Sequence, residues 1–580
     1  PRAPGGELPP QGHPRATHRH VLPPQPHPVR GRQGEVPGGM MAFVDRLQGQ
    51  LTLKVGEKSL TFPAGDIKRM SVDITSHGFT ATVEWWLVSQ QSASEDELFE
   101  HFQKPDPMEA TLELDRAYDT EGETASPVTL KGLVEERWLR ERTFANLQDA
   151  PVLQRRYRIR FADRAAVLWR QHFPTKVWVD QSLQEVIEAN MPQGVTLSFE
   201  WEGAKTKRPL HTLGLGAEGN AASFLDFVHW VQERENAGLF YDPATGEYAL
   251  RDSKPEGDEA VELPEEDVAE LEVHYPERPR AQVAVLNSYV DASTRTKDVE
   301  NADKVEGVRH EYLLTSTIED DLTQRATLEG KRQRVAEPEL LIHFKRYPSV
   351  TLTSNGLYGF GEDWSAKLFT HEKQYRLYRL RLEARAESED PTVNLGDDTN
   401  SYHLEITAAM ELESDVTFKR PAFVSPRWPF FAEGRVVSEV GEEEERTYQS
   451  KEDENTSLEY YRVKLPLWEE KQVLVPYDPN QQPGHFYFPA DKEARVLLAF
   501  EFRRVGFERY LEWRPGAKLP KETQGNHLLL GKKAESETSI QHVYQDAKPM
   551  LRIKRVSDKD TQLIEVSEGR LFLEAKEEEK

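Results

Sequence analysis

Three glycines, Gly214, Gly216 and Gly219, form a G-x-G-x-x-G ahead of a helical pattern. In that spacing glycines let backbone N–H groups approach a pyrophosphate. Residues 205–213 are polar and carry Pro209, so no buried strand is expected before the motif, and a flexible loop capping the helix is the preferred reading. His172, His211 and His229 lie in structured segments without metal-ligand spacing and read as packed or surface histidines. His403, Glu405 and Glu411 fall on one strand pattern, with His403 and Glu405 on the same face. With 100 acidic residues in the chain, paired carboxylates say nothing about glycoside chemistry. His13, His18, His20 and His27 could hold a metal loosely, but a solvated tail accounts for them. H-E-x-x-H, EF-hand, P-loop and G-x-S-x-G patterns are missing, as is any cysteine, so thiolate chemistry is excluded. The expectation is a chain with no catalytic, cofactor or metal site: a protein that is not an enzyme.

The elements around these residues are mostly strands. Phe79, Ala81, Val83, Trp85 and Leu87 alternate with Thr80, Thr82, Glu84 and Trp86; Tyr157, Ile159 and Phe161 alternate with arginines, as do Leu380, Leu382 and Ala384. Period two with one wet face predicts antiparallel sheet or barrel wall. Short helices interrupt the strands. Ser94 with Glu97 and Ser182 with Glu185 read as capping boxes, with Pro105 and Pro192 as stops. Phe224, Phe227, Val228 and Val231 form the apolar stripe of a third helix, with Gly238 as its C-terminal cap. A fourth helix is expected at about 320–335. The acidic stretch 256–272 reads as a linker or long loop, and Glu442 to Glu445 as a solvated hairpin tip. Leu571 and Leu573 mark a final strand before a charged tail.

The 580 residues suffice for three to five domains, and 37% hydrophobic content supplies several cores. A net charge of −26 disfavours nucleic acid and anionic membrane surfaces as partners. No apolar run of 18 residues marks a membrane-spanning helix, so no stable membrane anchor is expected, and no signal-peptide core is evident. Residues 1–40, rich in Pro, Gly, Arg and His, lack apolar periodicity and are expected to be a disordered tail; Met40 and Met41 close what reads as an upstream extension or mis-assigned start.

Several phrases, taken in order, resemble the VgrG spike family of type VI secretion, which is related to hub and needle-base proteins of contractile phage tails. Val167-Leu168-Trp169 followed by Val179-Asp180-Gln181-Ser182-Leu183-Gln184-Glu185-Val186-Ile187 is similar to the family's "F-x-D-x-S-x-x-E-I-I". The run from Phe227 to Tyr241 resembles "F-L-x-R-L-x-E-E-E-G-I-Y-Y", with an Asn-Ala insertion before Gly238. Phe431 to Val437, Tyr461 to Trp468, and Phe488-Pro489 with 494–500 resemble strands of the family's OB-fold. The family's "G-D-P-D-R-P" turn is replaced by 503–508, and the valine-glycine repeats of a long needle are missing.

The resemblance covers about 42–576 and implies a mainly β chain with a few short helices (α+β): tandem hub β-barrels, an OB-fold and a short β needle stub. It places a first hub barrel at 42–180, a second hub domain at 181–345, hub completion and connector at 346–425, the OB-fold at 426–530 and a neck or needle stub at 531–580. It further implies a structural role as hub and spike base of a contractile injection machine. The implied assembly is a homotrimer that meets a hexameric tail-tube ring, a spike-tip protein, baseplate components and effector cargo. The chain would assemble in the bacterial cytoplasm and then be secreted or injected. A spike-associated cell-wall hydrolase and a carbohydrate-binding surface protein are the alternatives. A barrel interior or subunit boundary is expected around Phe488, Val496, Leu498 and Phe500.

Overall fold

The computed structural model describes residues 43–89, 96–118, 127–142, 153–257, 259–316, 318–333, 336–452, 459–476 and 488–577. The expected tail at 1–40, with its histidines, lies outside them, as does Ser94. The chain divides into two compact units. The smaller comprises, among described residues, Pro279–Gln333: a three-stranded sheet of Gln282–Asn287, Thr296–Val299 and Arg309–Leu314 under the helix Glu319–Arg332. Val283, Val285, Val299, Leu322 and Ala326 form its core.

The larger unit is mainly β. Its centre is a ring of eight antiparallel strands. Gln374–Ala386 pairs with Ile67–Thr75, then follow Gly78–Ser89, Leu153–Ala162, Val128–Arg142, Met108–Arg116, Phe43–Val55 and Thr399–Leu412, which pairs back to Gln374–Ala386. Closure leaves the barrel without edges. The alternating patterns fill it: Leu51, Val83, Leu112, Leu130, Ile159 and Phe161 are completely buried. Beyond the ring the sheet continues from Thr399–Leu412 to Glu339–Phe344 and Val268–His274, and from Gln374–Ala386 to Leu357–Gly359 and Val261–Glu262. The acidic stretch expected to be a linker is therefore partly strand. Its Asp267 is buried and accepts from Ser349 N (2.8 Å) and the Arg346 guanidinium, which anchors the segment.

Helices sit between barrel strands and later sheets. Glu97–Phe102 is capped by Asp96, whose carboxylate accepts from Phe99 N at 3.0 Å, rather than by Ser94. Leu183–Glu188 carries the expected Ser182/Glu185 capping box. Phe224–Glu235 has a second box, Ser223 with Asp226, and buries its predicted stripe. Its C-cap is Asn236 in the left-handed region (φ 54°), not Gly238. Gly238 instead opens the strand Gly238–Asp242, where a Cβ would sit 2.6 Å from Cδ1 of Phe418. The Asn-Ala pair thus supplies the cap that the glycine was expected to give.

Residues 430–510 form a six-stranded antiparallel sheet wrapped around a single core, in which Val436, Tyr461, Val463, Leu465, Val475, Val496, Leu498 and Phe500 are completely buried. Phe488 is only half-buried, because it precedes the strand Arg495–Glu501 instead of lying on it. The run of four glutamates falls in the turn between Phe430–Val437 and Ser450–Glu452. The chain continues into a five-stranded meander: Asn526–Lys533, Ser536–Gln545, Lys548–Ser557, Asp560–Ser567 and Arg570–Lys576.

Candidate functional site

The residues with chemical potential in the sequence do not converge. His172 pairs with Asn190 (2.9 Å) and packs on Phe224. His403 is exposed on the outer barrel wall, Glu405 is half-buried on the same face, and Glu411 is buried in an ion pair with Lys254 at 2.6 Å. Among the described residues no group of three or more His, Cys, Asp or Glu side chains could hold a metal. The glycine motif follows a strand after all: Lys207–Gly214 is buried from Leu210 onward, paired with Thr175–Ser182 rather than set in a parallel sheet. A Cβ on Gly214 would clash with the ring of Phe430, so this glycine admits an aromatic side chain and no phosphate. Gly219 has φ +79°, a turn conformation that suits glycine.

Local sequence reasoning missed two buried polar clusters. Asp163 caps Arg164–Trp169 by accepting from Ala166 N at 2.8 Å, also accepts from Phe79 N at 3.2 Å, and binds the Tyr248 hydroxyl. Burial raises its pKa. The cluster ties the barrel strand, the helix and the strand Glu247–Arg251 together. Nearby, the rings of His77 and His229 meet edge-on at 5.9 Å. Burial pushes His77 down to about 4. Burial, and then His77 itself, pushes His229 down to about 3. Both are neutral at pH 7.

The two-stranded sheet of Thr175–Ser182 and Lys207–Gly214, which leads into the glycine motif, packs against the 430–510 sheet. Thr212 N donates to Phe502 O (2.9 Å) and Thr212 Oγ1 to Glu501 O (2.7 Å). Trp468 Nε1 donates to Thr175 O (3.2 Å), and Val177 and Leu210 belong to the core of the 430–510 sheet. Phe502, in the turn just before 503–508, enters a cage of Phe227, Trp230 and Trp428 with ring centroids 5.1–5.7 Å away. His211 completes this junction. It is fully buried against Phe502 at 5.4 Å, and neither ring nitrogen has a hydrogen-bond partner. Burial first, and then Arg503, Arg208 and Arg234, push its pKa down to about 3.

The C-terminal meander is the most unusual surface. Its register aligns Leu528, Ile540, Ile553, Ile564 and Leu573 across all five strands, with Leu551, Val566 and Leu571 in the next row. Side chains two apart share a face, so these rows form one continuous apolar sheet face. It is uncovered: Leu571 is 65% and Leu573 66% exposed, and Leu528, Leu551, Ile564 and Val566 are also exposed. The opposite face is mixed: Arg552 pairs with Glu565 at 3.0 Å, and Val543 and Met550 are buried there beside Leu529, Leu563 and Phe572. Isolated apolar side chains on a surface need no explanation, but a contiguous patch of this extent marks an interaction site.

No protein-family profile and no curated protein matches the chain. Solved structures do. A chain of the lidless PdpA–VgrG complex superposes with TM-score 0.70 at 13% identity, over 93% of this chain and all of that one. In the lidded Francisella PdpA–VgrG complex the TM-score is again 0.70, at 12% identity, over 92% of this chain and 80% of the other. The E. coli c3393 protein, described as a component of the type VI secretion system, aligns at TM-score 0.45 and 15% identity over 79% of this chain and 99% of its own. The chain therefore has the fold seen in the PdpA–VgrG complex, a likeness of architecture rather than of sequence.

Proposed function

We propose that this chain is a structural hub and spike base of a contractile injection machine of the type VI secretion kind, acting as a homotrimer. In this reading the closed barrels meet the hexameric tail tube and the baseplate. The 430–510 sheet, an OB-fold, gathers on the axis. The meander forms a needle stub that carries a tip protein and helps deliver effector cargo through a target envelope. The chain contributes stiffness and no enzymatic step.

The observation that carries the reading is the uncovered apolar face of the meander. A sheet that leaves a contiguous apolar face open to water is not a stable end state. Three copies around an axis bury all such faces against each other by one closed symmetry operation. The aromatic cage around Phe502 supports the mechanical role, since an axial push on the meander reaches the barrel through it. The fold shared with the PdpA–VgrG complex and the sequence phrases at 179–187 and 227–241 point the same way.

The test is Leu571→Lys with Leu573→Lys, followed by sedimentation across concentration. The trimer should weaken ~tenfold or more, about 1.4 kcal/mol or greater, while the barrel stays folded. Unchanged association would remove the meander from the assembly.

A further inference from the structure

The larger unit carries a basic barrel wall and, at the far end of its sheet, an acidic edge. Strands Val128–Arg142 and Leu153–Ala162 hold eight Lys or Arg residues and three Glu, a net +5 within a chain of net −26. Their outward face shows Trp138, 39% exposed, together with exposed Arg140, Arg142, Arg158 and Arg160. The register sets Trp138 opposite Arg158, whose guanidinium lies 4.4 Å from the ring centroid. Arg140 and Arg158 have no carboxylate partner among the described residues. Tryptophan and arginine side by side, exposed and without an ion-pair partner, have the composition of interface anchors.

In the ring of eight strands this wall stands opposite the pair Gln374–Ala386 and Thr399–Leu412, from which the sheet extends outward. That extension ends in the acidic stretch. Residues 256–277 contain ten acidic side chains and no Lys or Arg. Glu265, Glu270 and Glu272 are exposed and without an ion-pair partner among the described residues, and Tyr275 is 66% exposed beside them. Val268–His274 is the terminal strand, hydrogen-bonded only to Glu339–Phe344, so its outer edge is open among the described residues.

We propose that the acidic edge at 256–277 of one copy docks on the basic, tryptophan-bearing wall of the next copy, an inference that rests on the ring assembly proposed above. A twofold contact would set like charge against like on each surface. Opposite charges on separate surfaces instead favour a head-to-tail contact, which generates a closed ring when the rotation closes. The same contact shields an exposed strand edge that would otherwise recruit foreign strands.

The experiment uses the full chain and three charge variants: Arg140→Glu with Arg158→Glu, Glu270→Arg with Glu272→Arg, and all four together. All four positions are solvent-exposed, and circular dichroism checks that each variant is folded. Sedimentation at 50 and 500 mM salt reads self-association. Each double reversal should weaken the assembly ~tenfold or more at low salt, the wild type should weaken as salt rises, and the fourfold swap should restore association at low salt. An oligomeric wild type whose association is indifferent to either double reversal overturns the docking surfaces and leaves the ring reading standing. Failure of the swap to restore what the doubles lose also overturns the pairing. A wild type that stays monomeric at every concentration overturns the ring reading and this inference with it. If wall reversal abolishes binding of polyglutamate without altering self-association, the wall serves another acidic partner and the self-docking proposal fails.

Discussion

Replacing His211 by leucine tests whether the junction between the barrel layer and the 430–510 sheet is built as the structure shows. The imidazole is fully buried with both nitrogens unpartnered, so the native state holds it neutral. In the unfolded chain it titrates near 6.5, whereas in the folded protein its pKa falls to about 3. The unfolded state therefore binds the proton first. Stability is complete above pH 6.5, falls as pH drops below it, and levels off only below the folded pKa. The slope is about 1.4 kcal/mol per pH unit, so the loss from this one group between pH 6.5 and 5 is about 2 kcal/mol.

Leucine removes the titration and the two orphaned nitrogens, whose burial costs roughly 1–3 kcal/mol, though part of that gain is offset by imperfect packing against Phe502. The assay is urea unfolding at pH 7.5, 6.5, 5.5 and 5.0, followed by tryptophan fluorescence. Trp230 and Trp428 lie within 5.7 Å of Phe502 and report this junction. His211→Leu should match or exceed wild type at pH 7.5, and its advantage should widen by about 2 kcal/mol at pH 5.0. Other groups titrate identically in both proteins, so the difference isolates this side chain. A constant difference across pH would refute the burial of a neutral imidazole at this contact.

Phe500→Ala should destabilise the 430–510 sheet by about 3–5 kcal/mol, since Phe500 is completely buried and stacks on Phe430 at 5.2 Å; calorimetry should show that transition shift while the barrel's stays. Gly214→Ala forces its Cβ into Phe430 and should cost ~1–3 kcal/mol, against about 1 kcal/mol for Gly219→Ala, where only the positive φ is lost; thermal melts compare them. Asp96→Ala removes the buried partner of Arg155 (2.7 Å), leaving it only the exposed Glu141 at 2.8 Å, and uncaps Glu97–Phe102, so about 1–3 kcal/mol for the lost buried bonds plus about 1 kcal/mol for the cap should be lost by urea titration.

What the sequence makes legible is what neighbouring residues decide. Alternation at 79–88, 157–161 and 380–384 identifies barrel strands because one face is dry and the other wet. Ser182 and Glu185 announce their helix through local hydrogen bonds. Val496, Leu498 and Phe500 are recognisable as core from period two alone. Contacts made far along the chain are not visible this way. Nothing near Ile67–Thr75 says that it pairs with Gln374–Ala386 to close the ring. Polar text at 256–272 hides a strand because only one of its edges is paired. Gly214 reads as a phosphate loop or a flexible turn until Phe430, from a distant strand, is seen against it. The apolar face of the meander needs the register of five strands before its scattered leucines become one surface.

Native mass spectrometry of the purified 580-residue chain at micromolar concentration tests the central claim most directly. One chain weighs 66.6 kDa. The account predicts a dominant species at three times that mass, about 200 kDa, that dissociates when the meander's leucines are made charged. A species at 66.6 kDa alone, persisting as concentration rises, would contradict it.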